Sequence, residues 1–467
     1  MRLDLTITKK VIFCFLVMII INVLNLFVNM DYLSLAIYFV FLFFIYKQNS
    51  QMIIKYLFMF VMFTYHIISV FLAENTVVYF NNLLKTSYHS GAFLPLLTSY
   101  MLVFLILLIL EQNKRSNLLN AKNIEKKGTN IKIGKFVLSK KIRVRIFTII
   151  LILTTIFIIF RLRNIGFYSM NSIDRFAYRD QVFNGIDEKF YTYIAWFLPI
   201  PLMGLNLKMK KLSYIFFGLF CFYLIWVGDK FGSLFSAFYF FVLIGWGTKN
   251  IDKRMLRKIM ILITTVVTVL MIFISAQVYY ERGSWSEVPV YFNNRLIGGQ
   301  SDLWWGVYSK EKNASLRVSE FGDEVKAIIS QPDNIIDYNF GIYKMMRVTA
   351  PNWVVNNYLS RGARFAASTQ ATLFYYFKYI GLYVGSILMA VLYFFVVNSA
   401  INAYRRNDLI RSVIYTMLIS KSIQLTTMSD ITMLGNTTTL LGILILIILY
   451  FVQHKDKSMI MEKQTID

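Results

Sequence analysis

Apolar runs of bilayer length recur along this chain and decide what it can fold into. A helix needs about 20 mostly apolar residues to cross a hydrocarbon core. Such runs follow one another over nearly all 467 residues, which are 57% hydrophobic and only 16% charged. Soluble domains carry about 25% charged residues. The expectation is an all-α polytopic integral membrane protein forming a single transmembrane domain. We read twelve spans, at 11–28, 32–46, 53–72, 92–110, 146–162, 190–207, 212–227, 232–247, 259–277, 371–397, 412–428 and 434–452. The first follows Arg2, Lys9 and Lys10 without a small-residue cleavage pattern, so it is expected to be retained. Cys14 and Cys221 lie inside apolar runs and suggest neither a disulfide nor a metal site.

The formal net charge of +24 raises the question of nucleic acid. A nucleic-acid protein gathers Lys and Arg on one soluble face. Here they alternate between connectors. One set carries 30 Lys and Arg against 8 Asp and Glu, and the other carries 17 of each. Membrane topology explains that bias through the excess of positive charge on the cytoplasmic side. It predicts cytoplasmic N- and C-termini and removes the need for a nucleic-acid partner.

This topology puts 73–91, 163–189 and 278–370 outside, the last two being the larger periplasmic loops. A connector as long as 278–370 is usually functional or disordered. Trp285, Trp304, Trp305 and Trp353 argue for order. Within it Val318, Phe321, Val325, Ile328 and Ile329 recur at helical spacing. They predict an amphipathic helix lying on the outer membrane surface or capping a cavity.

Lys and Arg are normally sparse outside, yet Arg161, Arg163, Arg175, Arg179, Arg282, Arg295, Arg317, Arg347, Arg361 and Arg364 are all there. Guanidinium stays charged and pairs two hydrogen bonds with phosphate or carboxylate. These arginines either meet an anionic ligand, such as a lipid diphosphate, or pair with outer acids, as Asp174 with Arg175. In NNRLIGGQSDLWWGVYSKEK, from Asn293, Gln300 and Asp302 suit sugar hydroxyls, and Trp304 and Trp305 suit sugar stacking. An interfacial tryptophan anchor beside a turn fits the same spacing. Asp229 with Lys230, and Asp430, sit at span ends, where ionisable groups are costly and often functional. His89, outside the fourth span, titrates near neutrality and serves either as a base or as a solvated loop residue. His66 is expected to be buried. The sequence has no Walker A loop, GxSxG elbow, HExxH, DxD triplet or Cys/His metal spacing. The expected chemistry uses no metal and no cofactor.

These features resemble a known family. Many spans, basic inner connectors, two arginine-bearing outer loops and Arg175 and Gly185 with nine residues between them are similar to the O-antigen polymerases of the Wzy type. So is STQATLFYYFKYIGLYVGSILM, from Ser368, where a small polar residue precedes an aromatic-rich span with Gly381 and Gly385. That GxxxG equally suits plain helix packing. The resemblance implies a glycosyltransferase of the bacterial inner membrane. It would join undecaprenyl-diphosphate-linked oligosaccharide repeat units into O-antigen, a surface polysaccharide belonging to lipopolysaccharide biosynthesis. It implies contact with membrane lipid, and a chain-length regulator and a flippase as partners. It also implies that Arg175, Arg179, Arg295, Arg361 and Arg364 hold diphosphates. The base would come from Asp302, Glu281, Asp323 or His89. An O-antigen ligase-like transferase, a flippase or transporter of lipid-linked sugars, and a non-catalytic scaffold are the alternatives.

Overall fold

The computed structural model describes residues 5–24, 28–121, 140–168, 175–203, 210–228, 231–248, 283–330, 334–361, 363–365, 369–429 and 431–464, with isolated helical positions between 249 and 282. Among the described residues the fold is all-α apart from one short hairpin. The helices before residue 249 are α1 (Leu5–Leu24), α2 (Asp31–Gln48), α3 (Ser50–Lys55), α4 (Leu57–Asn75), α5 (Phe93–Ala121), α6 (Lys140–Asn164), α7 (Arg175–Val182), α8 (Gly185–Phe197), α9 (Pro199–Leu202), α10 (Lys210–Trp226) and α11 (Phe231–Gly245). After residue 282 come α12 (Glu287–Phe292), α13 (Gly299–Glu311), α14 (Phe321–Ile329), α15 (Gly341–Thr349), α16 (Asn352–Ser360), α17 (Thr369–Arg406), α18 (Leu409–Met428), α19 (Thr432–Gly435) and α20 (Thr437–Gln464). A π-helical turn, Asn293–Gly298, leads into α13.

Among the described residues four helices are long and apolar enough to cross a membrane: Asp31–Gln48, Leu57–Asn75, Phe93–Lys114 and Thr369–Arg406. Lys211–Trp226, Gly232–Gly245 and Thr437–Phe451 are apolar but shorter. The run expected to span 190–207 does not continue as one helix. Pro199 and Pro201 lack the amide hydrogen that a helix interior uses, and α8 gives way to the four-residue α9 there.

Polar clusters mark the two ends of the long helices. At one end Lys55 Nζ lies 2.6 Å from Glu111 Oε2 and 3.1 Å from Asn398 Oδ1. The Tyr56 hydroxyl donates to Glu111 Oε1 at 2.9 Å, and Lys114 Nζ reaches Asn398 Oδ1 at 2.8 Å. A buried ion pair survives only when its remaining valences are filled, and here three helices and Tyr56, between α3 and α4, contribute to filling them. At the opposite end Asn75 Nδ2 donates to Asp31 Oδ2 at 3.1 Å. Glu74 accepts the amides of Ser90 and Gly91, each at 2.8 Å. The 76–92 connector at this end folds into a two-residue antiparallel hairpin, Tyr79–Phe80 with Lys85–Thr86.

The long polar segment packs onto that same end through α13. Trp304 and Trp305 are each 1% exposed, and their indole nitrogens donate to Ala92 O at 2.9 Å and Tyr88 O at 3.1 Å. The 76–92 connector and α13, bonded between residues more than two hundred positions apart, thus form one cap.

Helix α17 is two helices. Lys378 has φ 53° and ψ −140°, outside helical geometry. The part before it folds back over the part after it. A Cβ added at Gly381 would lie 2.6 Å from Leu373 O, and one at Gly385 would strike the Leu373 side chain. The GxxxG glycines therefore admit their own preceding segment, not only a second helix.

The expected amphipathic helix is present as α14, preceded by a 3-10 turn at Val318–Glu320. Its Glu324 points inward at 1% exposure, whereas Ile329 is 88% exposed. Val318 and Val325 are exposed too. The outward face thus sets Val325 and Ile329 beside the charged Asp323 and Lys326.

Candidate functional site

The reversal at Lys378 gathers a cluster of charges that no short motif announces. Lys378 Nζ lies 3.0 Å from Glu311 O and 3.2 Å from Glu311 Oε2, on the last turn of α13. Arg317 Nη2 lies 3.2 Å from Glu311 Oε1, and its Nη1 lies 3.3 Å from Glu320 Oε1. Lys344 Nζ, on α15, meets Glu320 Oε2 at 2.9 Å. The Tyr375 hydroxyl accepts from Arg317 Nη1 at 3.1 Å and donates to Glu320 Oε2 at 3.0 Å. The Arg317 guanidinium also lies over the Tyr375 ring, 4.8 Å from its centroid.

Three basic side chains thus face two carboxylates and a phenol. The hydrogen bond from the Lys344 ammonium holds the Glu320 carboxyl below its ordinary range. The Arg317 and Glu320 side chains are 34% and 38% exposed, so the cluster opens outward. Behind it, Glu324 accepts from the Gly341 amide at 2.7 Å and the Tyr376 hydroxyl at 2.6 Å. Burial raises its carboxyl, only partly offset by those bonds. The cluster carries one surplus positive charge, sits on a strained backbone and has a partly exposed arginine fork. It suits a phosphate-bearing ligand.

The residues singled out from sequence fall into separate places. Asp302 is buried on the first turn of α13, 2.6 Å from Asn82 Nδ2. Asn82 Oδ1 in turn accepts from the Tyr358 hydroxyl at 2.6 Å. Burial pushes the Asp302 carboxyl up to about 7, against the opposing pull of Asn82 and of the Leu303 amide. Asp323 is exposed on α14, and Gln300 is half-buried. Trp304 and Trp305 present no open ring face for a sugar, because both are packed in the core.

Arg161 pairs with Asp187, which also completes the capping box at the start of α8. Arg163 is exposed. Arg179 Nε donates to Val227 O at 3.2 Å and stacks over Tyr191 at 4.5 Å. Arg347 Nε donates to Tyr338 O at 3.4 Å. Arg361 is exposed at the end of α16, and Arg364 lies over Tyr343, next to Lys344, at 5.0 Å. Arg175 is the first residue of α7 and Arg295 belongs to the π-helical turn. The side chains of both, with Glu281, Arg282, Asp174, Asp229, Lys230 and Asp430, lie outside the described residues.

His66 is buried, its Nδ1 2.8 Å from the Tyr100 hydroxyl. His89 Nδ1 lies 3.3 Å from Glu74 Oε2. Sequence reasoning noticed Arg317 but not Glu311, Glu320, Lys344, Tyr375 or Lys378. The one available signal was a lysine placed inside an aromatic-rich apolar run.

Residues 336–443 match a family of unknown function (DUF6418), covering about a quarter of the chain. Lys344, Tyr375 and Lys378 lie inside that stretch, and Glu311, Arg317 and Glu320 lie just before it. No curated protein and no solved structure matches the chain.

Proposed function

We propose that this chain is a glycosyltransferase of the bacterial inner membrane that polymerises undecaprenyl-diphosphate-linked oligosaccharide repeat units into O-antigen or a related surface polysaccharide. In this reading it has twelve spans, cytoplasmic termini and a periplasmic cap made by 278–370. The observation that carries it is the cluster of Arg317, Lys344 and Lys378 around Glu311, Glu320 and Tyr375 at the cap end of the long helices. The opposite end supports the orientation. Lys55, Lys114 and Arg405 lie there, as the excess of basic residues on the cytoplasmic side requires.

The chemistry follows from the charges. The acceptor hydroxyl oxygen attacks the anomeric carbon of the donor glycan. The carbon–oxygen bond to the diphosphate breaks, and its electron pair leaves on the diphosphate. Arg317, Lys344 and Lys378 stabilise that growing charge. Glu320 takes the acceptor proton. Free, it is held ionised by Lys344. A bound diphosphate draws the ammonium and guanidinium toward itself and strengthens Glu320 as a base. The exposed Val318, Val325 and Ile329 lie on the segment that follows Arg317, where lipid tails would enter.

A ligase-like transferase would use the same cations with a different acceptor. The absence of histidine from 278–370 favours the polymerase. Deleting the gene and running the lipopolysaccharide on a gel separates the readings. Core bearing a single repeat unit is expected. Bare core would indicate a ligase or flippase, and an unchanged ladder would remove every glycan reading.

A further inference from the structure

We propose that Asp31, Glu74 and His89 form a divalent-cation site, with Zn2+ the preferred ion, that clamps the start of α2 and the end of α4 to the connector before α5. The three residues come from separate elements, so no ligand spacing exists in the sequence. One ligand atom from each lies within 4.8 Å of the other two. His89 Nδ1 is 3.3 Å from Glu74 Oε2 and 3.8 Å from Asp31 Oδ2. Zinc bonds to imidazole nitrogen and carboxylate oxygen are about 2.0–2.2 Å, so two tetrahedral ligands stand roughly 3.3–3.6 Å apart. The imidazole already stands near that distance from both carboxylates.

A second observation points to the same ligand. Asp31 is 0% exposed, and its Oδ1 has no hydrogen-bond partner among the described residues. Buried carboxylate oxygens are rarely left unpaired. Its other oxygen already faces the imidazole. Glu74 is 4% exposed, so two carboxylates sit side by side out of water. The nearby Lys312 ammonium is directed to Ser90 O at 3.0 Å. A dication answers both carboxylates at once, and the imidazole nitrogen selects zinc over calcium or magnesium.

The supporting bonds are those of a prepared site. Asn75 holds Asp31 Oδ2. The Glu74 carboxylate is fixed by the amides of Ser90, Gly91 and Ala92 and by the Ser90 hydroxyl. Outer partners of this kind orient metal ligands. The His89 side chain, 40% exposed, gives the ion a path from solvent and leaves a coordination position for water. The site makes no use of the Glu311–Lys378 cluster and is independent of the glycan reading.

The test is calorimetric titration of the purified, chelator-treated full chain in detergent with Zn2+, Mn2+, Ca2+ and Mg2+, alongside elemental analysis. One Zn2+ per chain is expected, with a rise in melting temperature on binding. His89→Gln and Asp31→Asn should each weaken Zn2+ at least tenfold. His89→Gln changes a part-exposed side chain and should keep the wild-type elution volume and circular dichroism. No stoichiometric Zn2+ on the wild-type chain, equal binding by folded His89→Gln, or tighter binding of Ca2+ than of Zn2+ would each overturn the proposal.

Discussion

Lys378 grips Glu311 twice, at the backbone oxygen and at the carboxylate, from a backbone that turns to φ 53° to let it do so. Positive φ in a non-glycine residue costs roughly 1–3 kcal/mol and persists where the surroundings enforce it. The fold tolerates that cost at the point where α17 doubles back.

The first prediction separates that strain from the charge. Lys378→Gly frees the backbone but deletes the ammonium. Its stability should stay within about 1 kcal/mol of wild type, while polymer disappears. Lys378→Met should lose both polymer and stability, since it keeps the strain and leaves Glu311 short of a partner. Thermal unfolding in detergent and a lipopolysaccharide gel give the two readouts.

The second concerns Arg317, whose fork spans Glu311 and Glu320. Losing one donor to a developing charge commonly lowers turnover by about 10²–10³-fold. Arg317→Lys should therefore lose most activity despite keeping its charge, because an ammonium cannot reproduce the paired geometry. Turnover on purified lipid-linked repeat units near that of wild type would contradict it.

The third uses the buried acid of α13. Burial holds the Asp302 carboxyl up to about 7, above its ordinary value. The folded protein then binds a proton that the unfolded chain has released. That stabilisation is complete below the ordinary Asp range and is lost as pH rises through about 7. The melting temperature of wild type minus that of Asp302→Asn should fall between pH 5 and pH 8. A difference independent of pH would show that Asp302 is ionised in the fold.

The fourth tests the far end of the bundle. Removing one member of a buried ion pair typically costs about 3–5 kcal/mol. Glu111→Ala should destabilise by that order, because Lys55 loses its carboxylate partner. The double variant Glu111→Leu with Lys55→Met should recover much of the loss in thermal unfolding.

Hydropathy made the long helices legible, because each needs only its own residues to be apolar. The helical spacing of Val318 to Ile329 likewise marked α14. Lys55 and Lys114 meet through Asn398, a junction that their separate places in the sequence did not announce. The charge cluster was illegible for the opposite reason. Glu311 and Lys378 are 67 residues apart, and only the reversal of α17 joins them. Gly381 and Gly385 looked like a packing stripe, since a sequence does not say whether the approaching backbone is foreign or their own. Trp304 and Trp305 looked like sugar platforms, since a quoted loop does not reveal that the hairpin connector covers it. Asp31, Glu74 and His89 carried no spacing because three elements deliver them.

One feature of the cap bears on how the protein must be handled. Helix α14 turns Glu324 inward and leaves Val325 and Ile329 exposed beside Asp323 and Lys326. Stripping away bound lipid would leave that flank bare. The cap should then stick to its neighbours or shift off Gly341 and Tyr376. Preparations in lipid nanodiscs should accordingly keep their activity longer than those in short-chain detergent.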